Sequence, residues 1–142
     1  MVILDTNIVS ELMQQRPHPA VKQWLDRQPE ISVWTTSLNV FEIRHGIEML
    51  PRGRRRMSLE SEFERVIEDD IQRRIVSFDT AAAHAAAILM AERQRAGRPG
   101  DLRDTMIAGI VIASHATLAT RNTRHFADLP VPVVDSWHGA AR

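Results

Sequence analysis

The chain has 142 residues, of which 44% are hydrophobic, so it can bury the core of one compact domain and is too short for two. It has no cysteine, which excludes disulfides, thiolate nucleophiles and cysteine-ligated zinc and is typical of a reducing compartment. Lysine plus arginine and aspartate plus glutamate both number 18, so no overall charge attracts nucleic acid, and any phosphate-binding surface must be local.

The amino terminus leads directly into a predicted strand. Val2–Leu4 is short and apolar, and Asp5 follows it at the start of a helix that extends to about Met13. No basic leader precedes this strand and no apolar run reaches transmembrane length, so we expect a cytoplasmic protein without membrane contact, folded as a single domain over residues 1–142. Residues 20–27 predict a short helix and residues 31–35 a second strand.

A helical hairpin with a basic tip is predicted next. Ser37 can cap its first helix, which carries Glu42 in the second turn, and apolar residues return at helical spacing from Leu59 to Ile71. Between the two helices, residues 52–56 are mainly arginine. This tip is a candidate surface for RNA phosphates, but such a run is more often a solvated loop, and both interpretations stay open.

Three more strands and two more helices complete the pattern. Residues 75–78, 117–120 and 131–134 are the strand candidates. An alanine-rich helix is predicted over residues 81–96, and Asp101 can cap the helix that follows it. Strands that alternate with helices predict an α/β fold with a mainly parallel sheet, helices on both faces and right-handed crossovers.

Three carboxylates that are distant in sequence are predicted at one edge of this sheet. Asp5 ends the first strand, and Glu42 and Asp104 lie near the amino ends of helices that open on the same side, where parallel sheets bind ligands. Three negative charges at one rim need a cation, and a ligand set of oxygen atoms favours Mg²⁺ or Mn²⁺. Such an ion activates water and neutralises charge on a phosphoryl group, so the site is suited to phosphodiester hydrolysis.

Each acid alone has an ordinary structural explanation. Asp104 falls in a first helical turn, where it complements the helix dipole, Glu42 can be a solvated helix residue, and Asp5 can be a turn former. Glu42 and His45 have the spacing of a di-iron ligand pair, but the sequence has no second such motif. A phosphatase with Asp5 as nucleophile would need a second aspartate where Asn7 stands. Only the three acids together therefore indicate a metal site.

The acids belong to three longer motifs, and a fourth motif follows them. The motifs are Leu4-Asp5-Thr6-Asn7, Val40-Phe41-Glu42-Ile43-Arg44-His45-Gly46, Leu102-Arg103-Asp104-Thr105-Met106-Ile107-Ala108-Gly109, and Ala119-Thr120-Arg121-Asn122 with Phe126. In order and spacing they resemble the motifs of PIN-domain toxins of the VapC and FitB type, and the resemblance continues to Trp137-His138. It implies a three-layer α/β/α fold with a five-stranded parallel sheet in the order 3-2-1-4-5.

The resemblance also implies an activity and the residues that carry it. It predicts a Mg²⁺-dependent endoribonuclease, the toxin of a type II toxin–antitoxin system, with Mn²⁺ as the alternative ion. Asp5 and Asp104 match metal ligands, and Glu42 matches an acid that acts directly on the metal or through a bound water. Asn7 matches a polar residue that braces the Asp5 turn, and Thr120 matches a hydroxyl near the site.

The sequence departs from the family pattern at the fourth acid. Many members have a carboxylate at the position of Asn122 or just before the later phenylalanine, where this chain has Asn122 and His125. Asparagine forms hydrogen bonds but adds no charge, so the number of metal ions, one or two, stays open. Arg44 and Arg121 are the candidates for contact with the RNA strand.

Partners follow from the same resemblance. We expect a homodimer that is silenced by a VapB- or FitA-like antitoxin, and we expect an arginine of the antitoxin to enter the acidic groove. The dimer should contact promoter DNA only through the antitoxin complex. Which RNA is cut is not readable from the sequence. The alternative is a PIN-like module that binds RNA or protein without cutting; the missing fourth carboxylate supports it, and the three retained acids argue against it.

Overall fold

The fold is an α/β sandwich, which a computed structural model describes for residues 1–138. In this range the sheet has five short strands: β1 Val2–Leu4, β2 Val33–Thr36, β3 Ile75–Val76, β4 Thr117–Ala119 and β5 Val133–Val134. The α-helices are α1 Thr6–Leu12, α2 Pro19–Asp26, α3 Ser37–Glu48, α4 Arg54–Arg65, α5 Thr80–Arg95 and α6 Leu102–Ala113. The last four residues of the predicted domain, 139–142, lie outside the described part.

All neighbouring strands are parallel, in the order β3-β2-β1-β4-β5, which confirms the predicted topology. Strand β1 is central, because Val2 lies opposite Val33 of β2 on one side and Thr117 of β4 on the other. The carboxyl ends of β1, β2 and β4 therefore meet at one edge of the sheet.

Two hydrophobic cores cover the two faces of the sheet. Leu4 packs in the first core with α1 to α4, whereas Ile3 packs in the second core with α5 and α6, since successive strand residues point to opposite faces. Both side chains are fully buried. Within residues 1–138, none of the helices is both long enough and apolar enough to cross a bilayer.

Several element boundaries differ from the sequence prediction. The second strand begins at Val33, not at residue 31, because Glu30–Ser32 forms a 3₁₀ turn in which the Ser32 amide donates to the Pro29 carbonyl. Ile31 is 78% exposed as a result. The residue that caps α3 is Thr36 and not the predicted Ser37, and β3 and β5 are each two residues shorter than predicted.

The hairpin of α3 and α4 is present, but the arginines expected between its helices, Arg54 to Arg56, form the first turn of α4. Helix α4 begins at Arg54, and an irregular five-residue π-helical segment, Val66–Asp70, follows it. Arg56 turns back from the tip and forms ion pairs with Glu48 at 2.8 Å and Glu60 at 3.4 Å.

Helices α5 and α6 approach each other unusually closely at Gly109. A Cβ atom at this position would lie 2.5 Å from the Ala82 carbonyl oxygen and 2.7 Å from the Ala86 Cβ. No side chain fits in that space, so small residues on both helices set the distance between them. Because Asp104 lies in the first turn of α6, this contact also fixes the helix that carries it.

Candidate active site

Asp5 lies at the carboxyl end of the central strand and is 4% exposed. Its backbone amide donates to the Ala119 carbonyl of β4 at 2.9 Å, which extends the sheet by one hydrogen bond. Its carboxylate caps α1, since Oδ1 accepts a hydrogen bond from the Thr6 amide at 2.8 Å. The strand and the helix therefore fix this carboxylate through the backbone.

Two side chains donate further hydrogen bonds to the Asp5 carboxylate. Asn39 Nδ2 donates to Oδ1 at 3.0 Å and Thr120 Oγ1 donates to Oδ2 at 2.7 Å. Asn39 is fully buried, and its own Oδ1 accepts from Thr36 Oγ1 at 2.6 Å. The sequence analysis did not identify Asn39. The available signal was its position three residues after Thr36, the residue that caps α3.

Glu42 lies on α3 and faces Asp5 across Thr6. Its Oε1 accepts a hydrogen bond from Thr6 Oγ1 at 2.8 Å, and its Oε2 lies 3.8 Å from Arg103 Nη1. Burial raises the pKa of Glu42 above its ordinary value, the Thr6 hydrogen bond opposes that shift, and repulsion from Asp5 adds to it. Glu42 is therefore a carboxylate that takes up a proton more readily than one in water.

Asp104 approaches from the other side, in the first turn of α6. As predicted, Asp101 caps this helix, and its Oδ1 accepts the Asp104 amide at 3.1 Å. Asp104 Oδ2 lies 3.2 Å from Nδ1 of His125. The pKa of Asp104 is raised by burial and by repulsion from Asp5 and Asp101, while His125 acts in the opposite direction.

Asp5, Glu42 and Asp104 thus form one acidic site, in which Asp5 raises the pKa of both other acids. Their oxygen donors and mutual repulsion fit a hard divalent cation. Within residues 1–138, however, no group of three or more acidic or histidine side chains is arranged to hold a metal ion. Mg²⁺ keeps several waters and takes one or two carboxylates, so it does not require three protein ligands.

Thr120 connects the supporting residues of the fourth motif. Besides its hydrogen bond to Asp5, its Oγ1 accepts from Asn7 Nδ2 at 3.4 Å and from the Asn122 amide at 3.0 Å. Asn7 Oδ1 accepts the Arg121 amide at 3.0 Å, so Asn7 joins α1 to the segment after β4. Asn7 and Thr120 therefore lie beside the Asp5 turn, Asn122 contacts Thr120 through its backbone, and the supporting roles of all three stay predictions.

The two arginines assigned to RNA have protein partners in the structure. Arg44 forms ion pairs with Glu48 at 2.7 Å and with Glu60 at 3.9 Å, inside the helical hairpin. The Arg121 guanidinium lies 4.7 Å from the centre of the Trp137 ring, a cation–π contact. Sequence reasoning found neither partner, and contact of these arginines with RNA stays a prediction.

Comparison with known proteins agrees with this arrangement. The PIN domain model matches residues 2–132. The chain is 31% identical to the VapC ribonuclease Y4jK of Sinorhizobium fredii, covering 99% of this chain and 100% of that protein. It is 30% identical to the toxin FitB of Neisseria gonorrhoeae, covering 97% and 99%. A solved structure of FitAB bound to a DNA fragment superposes with a TM-score of 0.88 at 30% identity, over 100% of this chain and 99% of that one. The chain therefore belongs to the PIN-domain family and is a homologue of VapC and FitB toxins.

Proposed function

We propose that this protein is a metal-dependent endoribonuclease, the toxin of a type II toxin–antitoxin system. The observation that carries the proposal is the electrostatic coupling of Asp5 to both Glu42 and Asp104 at one edge of the sheet. A fold has to tolerate this repulsion in the absence of a cation, so the cluster is explained best by a bound metal.

Asp5 and Asp104 would hold the ion, with Glu42 in direct contact or joined to it through water. A bound Mg²⁺ or Mn²⁺ would supply activation of water and charge neutralisation at the phosphate. Thr6 holds Oε1 of Glu42, which leaves Oε2 as the atom that accepts a proton from the attacking water. Asn39 and Thr120 orient the Asp5 carboxylate by donating to both of its oxygens.

The relatives support the biological setting of this proposal. Two homologues over nearly the full chain are named as a ribonuclease and as a toxin, and FitAB has been solved with a DNA fragment. By analogy, we infer that the present chain forms a homodimer in the cytoplasm and is inhibited by an antitoxin. It would bind promoter DNA only through that antitoxin. An arginine of the antitoxin is the natural ligand for the acidic site, through bidentate pairing.

The direct test is cleavage of a defined structured RNA by the full chain with Mg²⁺, with Mn²⁺ and with EDTA. Cleavage should require a metal ion and should be lost in Asp5→Asn and in Asp104→Asn. Asp26→Asn is the matched control, because Asp26 is exposed at the end of α2. Cleavage that survives both site substitutions would contradict the assignment of the ligands.

A second candidate function is binding of RNA or protein without cleavage. Two observations favour it: the acids do not form a closed ligand set within residues 1–138, and Asn122 and His125 replace a fourth carboxylate. If pure, folded protein binds RNA in the presence of Mg²⁺ and leaves the RNA intact, this second function would be supported in place of the nuclease.

A further inference from the structure

A pocket of about 390 Å³ opens directly beside Asp104. It lies between the carboxyl end of α5, the loop that leads to α6, and the 3₁₀ turn Thr123–Phe126. Four basic side chains contribute to its wall: Arg93, Arg98, Arg124 and His125. We call it the arginine pocket, and its position makes it continuous with the acidic site.

The floor of the arginine pocket is a buried guanidinium. Arg93 is 6% exposed, and it forms a bidentate pair with Asp128, with Nε at 2.9 Å from Oδ2 and Nη2 at 2.8 Å from Oδ1. It also donates to the His125 carbonyl at 3.0 Å and to Thr105 Oγ1 at 3.2 Å. These bonds use four of the five N–H groups of an arginine, so one N–H on Nη1 is left over.

The loop at Gly100 packs closely over this guanidinium. A Cβ atom at Gly100 would lie 2.9 Å from Arg93 Nη1, so a larger residue there would have to displace the end of the Arg93 side chain. Asp128 raises the pKa of Arg93 through its hydrogen bond, and the pKa of Asp128 is lowered by the same pair, so both groups stay charged. A permanently charged pair therefore lies at the base of the pocket.

Two further arginines at the pocket, Arg98 and Arg124, form no direct ion pair among the described residues, although Arg98 lies close enough to Asp128 to lower its pKa. Within residues 1–138, the side chains of Arg98 and Arg124 form no ion pair and no hydrogen bond, and both residues are exposed. Asp128 is paired with Arg93, and Asp101 accepts the Asp104 amide as the cap of α6. The pocket therefore contains both signs of charge, and its two exposed arginine side chains form no direct hydrogen bond or ion pair within residues 1–138.

We propose that the arginine pocket binds a backbone phosphate of the RNA strand, the neighbour of the phosphate that is cleaved at Asp5, Glu42 and Asp104. This inference rests on the proposed nuclease function and assigns the strand a path from the acidic site to Arg98 and Arg124. Arginine binds phosphate oxygens through paired donors, and phosphate contacts set the register of a strand independently of its sequence.

The experiment measures binding of a fluorescent oligoribonucleotide to the full chain at several salt concentrations with Mg²⁺ present. Asp5→Asn serves as the background that does not cut. In this background, Arg98→Gln with Arg124→Gln should weaken binding about tenfold and lower the slope of log Kd against log salt by about 1 to 2, because two phosphate contacts are lost. The matched control is Arg16→Gln with Arg27→Gln, which removes the same charge from exposed positions at the other end of the molecule.

The outcomes separate this inference from the nuclease proposal. Wild-type cleavage together with equal RNA affinity in both double variants would overturn the pocket and leave the nuclease standing. Weaker binding in the pocket variant without any wild-type cleavage would keep the pocket and reject the nuclease. Unchanged RNA affinity combined with lost affinity for an acidic peptide would assign the pocket to a protein partner and overturn the inference. Absence of both binding and cleavage would reject both proposals.

Discussion

The two halves of the acidic site are built in different ways. Asp5 is buried in the middle of the sheet, with hydrogen-bond donors from the Thr6 amide, Asn39 and Thr120. The side chain of Asp104 is 25% exposed, and its partner among the described residues is His125, whose side chain is 57% exposed. One carboxylate is therefore part of the core, and the other stands on the rim.

The difference shows how a charged site can be rigid without being wholly buried. On the Asp5 side, the same hydrogen bonds stabilise the fold and aim the carboxylate. On the Asp104 side, the carboxylate depends on the position of the turn that holds His125, and that turn is tied to α5 through Arg93 and Asp128. Four substitutions test this division of the site.

The largest effect is expected from Asp5→Asn. The substitution removes the charge at the centre of the site, and we expect kcat/KM for RNA cleavage to fall by about 1000-fold, equivalent to about 4 kcal/mol of transition-state stabilisation. Initial rates at saturating Mg²⁺ measure it. A loss below tenfold would mean that Asp5 is not a metal ligand and that the core half of the site is structural.

The next effect is expected from Arg93→Met, which should lower the free energy of unfolding by about 2 to 3 kcal/mol. The substitution leaves the His125 carbonyl and Thr105 without their donor, and the partial exposure of Asp128 keeps the loss below that of a fully buried pair. Urea unfolding gives the value. Arg95→Met, on the exposed neighbour of the same helix, is the control and should change stability by less than about 0.5 kcal/mol. Equal losses in both variants would contradict the role of Arg93.

A smaller loss is expected from Asn39→Ala, about 1 to 2 kcal/mol. Asn39 is fully buried, and its removal leaves Asp5 Oδ1 and the Thr36 hydroxyl each short of one partner. Asn122→Ala is the comparison, because Asn122 is exposed and contacts Thr120 through its backbone amide. Thermal unfolding that ranks Asn122→Ala as the more damaging change would contradict the hydrogen-bond network derived for Asp5.

The smallest effect is a small gain in stability for Asp104→Asn in EDTA near neutral pH. The folded pKa of Asp104 is raised, so its ionised form destabilises the metal-free fold above that pKa, and the destabilisation is absent below the ordinary pKa of an aspartate. The advantage of the variant should therefore disappear as the pH falls toward 3. Melting temperatures across this pH range test the sign, and a variant that is less stable at pH 7 would contradict it.

Sequence patterns predicted the local elements that carry the acids in both halves of the site. An apolar strand followed by Asp5 and a helix start is a local signal, and so is Asp101 as the cap of α6. The strand order came from the family resemblance, because local periodicity does not say which strands are neighbours. The start of β2 was misplaced because Ile31 is an apolar β-branched residue next to the strand, although the 3₁₀ turn exposes its side chain.

The residues that sequence reasoning missed are those whose partners lie far along the chain. Arg93 has the appearance of a basic residue near the end of a helix, where it would complement the dipole in water. Its partner Asp128 is 35 residues away, and only the folded chain brings the two together. Asn39 and Asp5 are separated by 34 residues in the same way. The roles of the site residues themselves stay predictions until the substitutions are measured.

The close packing at Gly109 has a consequence for genetics. Under the proposed toxin function, a screen for cells that survive expression of this protein should collect substitutions at Gly109 beside those at the acids, although Gly109 lies in the core. A side chain there must move α6 away from Ala82 and Ala86, and metal coordination tolerates shifts of only about 0.2 Å. Such survivors would keep every carboxylate, and the change in their proteins would lie in the packing of α5 against α6.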